Sequence, residues 1–86
     1  MKLKITRIAD GLHPSEAIVE IRSGEGAERL VVDGDSIHND MLEVGAPVGK
    51  RNGHFLVELP RETFRGAWRV WVSKDELLED RLEKVA

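Results

Sequence analysis

The chain contains no cysteine, so it has no disulfide, no thiolate nucleophile and no cysteine-ligated zinc. It is poor in aromatic residues: two tryptophans and two phenylalanines are all it carries in 86 residues. No stretch approaches the roughly 20 consecutive apolar residues of a membrane-spanning helix. The N-terminal run MKLKITRIAD interrupts its apolar residues with charge too often to form the apolar region of a signal peptide. The expectation is a cytoplasmic protein with no membrane association, folded as a single domain over 1–86 around one modest core.

Charge is plentiful and unevenly placed. The net value of −3 combines a basic start (Lys2, Lys4, Arg7), an acidic middle over 10–43, a basic segment over 44–72 and an acidic tail. The middle and the later basic segment are the two features that could attract a charged partner.

The alternation of apolar and polar residues predicts strands near 2–9, 16–22, 28–33, 54–59 and 67–72. A bulge is expected near Thr6-Arg7, where the apolar phase shifts. Asn52-Gly53, ahead of the alternating HFLVEL, is a strong hairpin signal. Gly34 to Gly45 fits either one or two helical turns capped by Asp35 or Ser36, or a short strand around Met41 to Val44. Ser73 and Glu76 form an S-x-x-E capping box ahead of Leu77, Leu78, Leu82 and Val85 at helical spacing, which predicts an α-helix over 74–85. The expected fold is α+β and mostly β: a small antiparallel sheet or open barrel, of SH3-like or OB-like size, with about five strands and a C-terminal helix. No internal repeat, low-complexity tract or domain boundary is visible.

Trp68 and Trp71 stand three apart in AWRVWV. On a strand an odd separation places them on opposite faces, Trp68 with Val70 and Val72, Trp71 with Arg69. Four strands carry one apolar residue each on the second face: Ile18, Val31, Leu56 and Trp71. A face meant only for water rarely collects four such residues. The C-terminal helix is the expected cover, and another subunit or a partner is the alternative.

Catalytic and metal motifs fail on inspection. Gly45-x-x-x-Gly49-Lys50-Arg51 is one residue short of a phosphate-binding loop and has arginine where magnesium needs a hydroxyl. Asp33-Gly34-Asp35 begins like a calcium loop, but Ile37 falls at a ligand position. Asp33, Asp35, His38, Asp40 and Glu43 are close in sequence without a metal-site spacing, and His13, His38 and His54 match no zinc pattern. Ser15, Ser23, Ser36 and Ser73 lie in turn or cap contexts, with no nucleophile elbow. The sequence therefore points to a non-enzyme without cofactor or metal.

The expected function is a non-enzymatic protein-interaction module, self-association included, whose contact face holds Leu56, Arg61, Arg65, Arg69 and Trp71. Two alternatives use other residues. A nucleic-acid-binding barrel would use Lys50, Arg51 and Arg69 beside the indole of Trp71. A small acidic inhibitor or nucleic-acid mimic would use Asp33, Asp35, Asp40 and Glu43.

Overall fold

The computed structural model describes residues 1–24 and 26–78, and these form a mostly β structure of small antiparallel sheets. In chain order the strands are β1 (Lys2–Lys4), β2 (Thr6–Asp10), β3 (Glu16–Ser23), β4 (Gly26–Asp33), β5 (Ile37–His38), β6 (Met41–Glu43), β7 (Gly49–Arg51), β8 (His54–Glu58), β9 (Arg69–Ser73) and β10 (Leu77–Leu78). Single 3-10 turns, Gly34–Ser36 and Lys74–Glu76, precede β5 and β10. The strands pair as β2-β3-β4, β7-β8-β9 and β10-β1-β6-β5.

Local chemistry explains the tight connections. Asn39 and Asp40 between β5 and β6, and Asn52 and Gly53 between β7 and β8, all have positive φ, as two-residue hairpin turns of primed type require. The shift in apolar phase at Thr6-Arg7 is realised as an irregularity in the β2–β3 register between Arg7 and Ala9. Alternation along the strands delivers the core: Leu3 and Ile5, Ala17, Val19 and Ile21, Leu30 and Val32, Leu42 and Val44, Val57 and Leu59, Val70 and Val72 are buried.

The pairing pattern shows a duplication that the sequence reading misses. Residues 2–38 and 41–78 each run through the same series: a short strand, three meandering strands, a 3-10 turn and a two-residue strand. In the four-stranded sheet Leu3 pairs with Leu42, and this pair lies on a local two-fold axis. Leu77 opposite Leu3 and Leu78 opposite Lys2 repeat Ile37 opposite Leu42 and His38 opposite Met41. The N–H of Ile5 donates to the carbonyl of Asp40, and the N–H of Val44 donates to that of Met1, at equivalent places.

The longer hairpins match residue by residue. Ile18–Val31, Val19–Leu30 and Glu20–Arg29 in β3–β4 correspond to Leu56–Trp71, Val57–Val70 and Glu58–Arg69 in β8–β9. Both Glu–Arg pairs are joined by an Nε–Oε2 hydrogen bond of 3.0 Å. Every buried apolar residue except Ala17 thus has a buried apolar counterpart in the other half, and the counterpart of Ala17 is the half-buried Phe55. All three pairings of the four-stranded sheet join one half to the other.

Three expectations need correction. The α-helix expected over 74–85 does not form over 74–78: Ser73 accepts from the N–H of Asp75 and caps only a 3-10 turn, after which Leu77 and Leu78 join β1 as strand. The remainder of that helix lies outside the described residues. Pairing with Lys2 and Leu3 outweighs the helical spacing because it buries Leu77 against the core. Trp68 does not point into the core with Val70 and Val72: the strand begins at Arg69, and Trp68 lies outside it, 57% exposed. The described strands also exceed the expected five and form three sheets, none of them closed into a barrel.

Candidate functional site

The two halves clasp each other through their hairpin loops. The short β3–β4 loop reaches β9, where the N–H of Gly24 donates to the carbonyl of Trp71 at 2.8 Å. The long β8–β9 connection reaches β4, where the N–H of Phe64 donates to the carbonyl of Arg29 at 2.8 Å. Thr63 organises that connection. It is buried, its N–H donates to the carbonyl of Ala67, and its hydroxyl accepts from the N–H of Ala67. Arg65 adds a 3.0 Å hydrogen bond to the carbonyl of Ala27 and a 2.7 Å ion pair to Glu28. The long loop therefore seals the edge of β4, whereas the short loop holds β9 at Trp71.

A cavity of about 200 Å³ lies along β9 beside this short clasp, lined by Gly24, Glu28, Leu56, Ala67, Arg69 and Trp71 with Ser23 and Val70. Glu28 alternates with the core residues Leu30 and Val32, so its strand position turns it inward. It is only 8% exposed. One carboxylate oxygen, Oε2, takes Arg65; the other, Oε1, is buried without a hydrogen-bond partner among the described residues. A buried polar atom left in this way costs stability, and such atoms in folded proteins call for an explanation.

Trp71 stands at the centre of the surrounding face. It is half-buried, paired with Leu56 across the strands, and covered by the Arg51 guanidinium at 4.8 Å from the ring centroid. A second hollow of about 290 Å³ is lined by Gly24, Arg51, Asn52, His54 and Trp71. Gly49 keeps the neighbouring strand close: a Cβ there would meet Leu56 Cβ at 3.2 Å and Trp71 Cη2 at 3.5 Å.

The structure brings together most of the residues expected at a contact face. Leu56, Arg69 and Trp71 line the cavity, and Arg65 reaches it through Glu28. Arg61 does not join them; it turns to Glu16 at 3.4 Å. Arg69 is held by Glu58 in an exposed pair at 2.9 Å. The basic set Lys50, Arg51 and Arg69 is divided by the pleat. Arg51 and Arg69 lie on the face of Trp71, while Lys50 pairs with Phe55 on the opposite face, 6.0 Å over its ring. Asp33 ends β4, Asp35 lies in the first 3-10 turn, Asp40 in the β5–β6 turn and Glu43 on β6. Among the described residues no three acidic or histidine side chains converge as a metal site. Ile18 and Val31 pair on the first half, half-buried, and no described helix covers them.

Glu28 is the functional candidate that sequence reasoning overlooks. Its signal was its parity with Leu30 and Val32, an acid at an inward position of a strand. Comparison with protein-family models, with curated proteins and with solved structures finds no match to this chain. No helix among the described residues is long and apolar enough to cross a membrane.

Proposed function

We propose that the chain is a non-enzymatic protein-interaction module that docks a partner protein on the β7–β9 face, with Leu56, Trp71 and Arg69 in contact and Arg65 holding Glu28 in place. The cavity along β9 carries this reading: Leu56 and Trp71 line it with the buried Glu28 and the exposed Arg69. Docking surfaces concentrate their affinity in a few anchors, aromatic and arginine side chains above all, and Trp71 and Arg69 supply both here. The arginines favour a protein over a nucleic-acid partner here. Arg65 and Arg69 already pair with Glu28 and Glu58, which leaves Arg51 as the one guanidinium on this face without an ion pair among the described residues. Phosphate binding calls for several unpaired cations along a track.

The test is capture from the native host with the wild-type chain and with Leu56→Glu, which places a charge beside Trp71 without touching the core. A protein retained by the wild type and lost with the variant supports the reading. Identical captured sets refute it.

A further inference from the structure

We propose that the docked partner presents an acidic side chain, whose carboxylate pairs with the Arg51 guanidinium in the hollow beside Trp71. This rests on the reading that the β7–β9 face is the docking surface, and it names the chemistry of the partner. Three observations lead to it.

The first is the placement of Arg51. Arg7, Arg29, Arg61, Arg65 and Arg69 each pair with a carboxylate of the chain, at 2.7 to 3.4 Å. Arg51 is exposed, and its guanidinium lies over an aromatic ring instead, 4.8 Å from the centroid of Trp71. Contact with a ring face uses the cation's charge but not its N–H groups. The guanidinium thus keeps a planar fork of donors for a further partner, and that fork matches the two oxygens of a carboxylate. The indole also restrains the side chain, so less freedom is lost when the pair forms.

The second is the hollow that Arg51 borders. Of the described residues lining it, the two that can carry charge, Arg51 and His54, are both basic. Trp71 belongs to this hollow and to the cavity along β9, and Leu56 faces it across the strands. A positive group therefore stands next to an apolar anchor on one continuous face. The complementary surface is an acid beside an apolar side chain. One such guanidinium suits one carboxylate rather than a run of phosphates.

The third is the other half of the molecule. Arg51 stands opposite His54, and His54 opposite Ser73. The equivalent row of the first half is Gly11, whose N–H donates to the Glu16 carbonyl, then Glu16 opposite Asp33. Val31 stands there in place of Trp71. The same scaffold is thus built without the guanidinium or the indole, and with the opposite sign of charge. In that first half the chain supplies its own counter-ion, Arg61 on Glu16 at 3.4 Å. For Arg51 the described residues supply none, and a partner's carboxylate takes that role.

The test is selection of a random heptapeptide phage library on the immobilised full chain, followed by titration of the recovered peptides, synthesised with both ends capped. The peptides are expected to carry Asp or Glu beside an apolar residue and to lose binding to Leu56→Glu. Replacing that acid by its amide should weaken binding about tenfold in the wild type and hardly at all in Arg51→Gln. Arg51→Lys, which keeps the charge without the planar fork, should weaken binding severalfold. Arg51 is exposed, so neither variant disturbs the core. Recovered peptides without an acid, or an amide replacement that weakens binding equally in the wild type and in Arg51→Gln, would overturn the proposal. So would an oligothymidylate that outcompetes every recovered peptide and is released by Arg51→Gln. If binding is lost with Leu56→Glu but ignores Arg51→Gln, the acidic partner is wrong and the docking reading stands. If it ignores Leu56→Glu, both fall. If no peptide is recovered, the acidic partner falls and the capture experiment decides the docking reading.

Discussion

Replacing Glu28 by methionine should stabilise this protein. The wild-type side chain is 8% exposed and leaves Oε1 buried without a partner among the described residues. A buried polar group of this kind costs on the order of 1–3 kcal/mol. Against that stands the pair to Arg65, whose own side chain is 66% exposed. A pair with one partner in solvent contributes only about 0–1 kcal/mol. Arg65 also keeps its hydrogen bond to the Ala27 carbonyl when Glu28 is gone. Methionine has nearly the length of glutamate and bends to fill an irregular space, so it introduces little strain. The net expectation is a gain of about 1 kcal/mol, which in a domain of this size raises Tm by about 4–8 °C. Thermal unfolding followed by circular dichroism, with urea titration for the free energy, measures it. A loss of more than about 1 kcal/mol would refute the reasoning, because Oε1 would then be well hydrogen-bonded in solution.

Other consequences can be checked in the same way. Leu3→Ala and Leu42→Ala occupy equivalent, fully buried places across the local axis. Each should cost about 2–4 kcal/mol in urea denaturation, and a difference between them greater than about 2 kcal/mol would count against the duplicated packing. Because the two side chains are direct cross-strand neighbours, the double substitution should depart from additivity by more than about 0.5 kcal/mol. Breaking either exposed pair, by Arg29→Gln or Arg69→Gln, should cost less than about 1 kcal/mol, and by less still in high salt. Gly11→Ala would set a Cβ 2.7 Å from Glu16 Cβ and 3.3 Å from the Glu16 carbonyl carbon, so a loss of about 1–3 kcal/mol is expected by thermal unfolding.

Much of the sheet structure was legible because it is local. The alternation in EAIVEIR and ERLVVD, and the Asn52-Gly53 turn, carry their meaning within a few residues. The two-residue strands β5 and β10 do not: Ile37-His38 and Leu77-Leu78 are strands only because β6 and β1 pair with them. Leu77 and Leu78 also fit a helical repeat, and nothing local arbitrates between the two. The duplication was hidden by its loops. Ile18-Val19-Glu20-Ile21 and Leu56-Val57-Glu58-Leu59 are plainly alike once aligned, but the hairpin after the first closes at once and the one after the second runs on to Trp68. At the candidate site, strand parity correctly placed Leu56, Arg69 and Trp71 on one face. It could not reveal that Arg61 leaves for Glu16, or that Arg65 reaches back to a carboxylate on β4, since both contacts are long-range.

Joining two like halves in one polypeptide frees them to differ. In a true homodimer any opened strand would be opened twice, giving a bivalent molecule able to bridge its partners or to chain onto copies of itself. Here Thr63–Ala67 covers the edge of β4 while the corresponding side of β9 keeps a cavity, so a molecule built on two-fold lines is left lopsided.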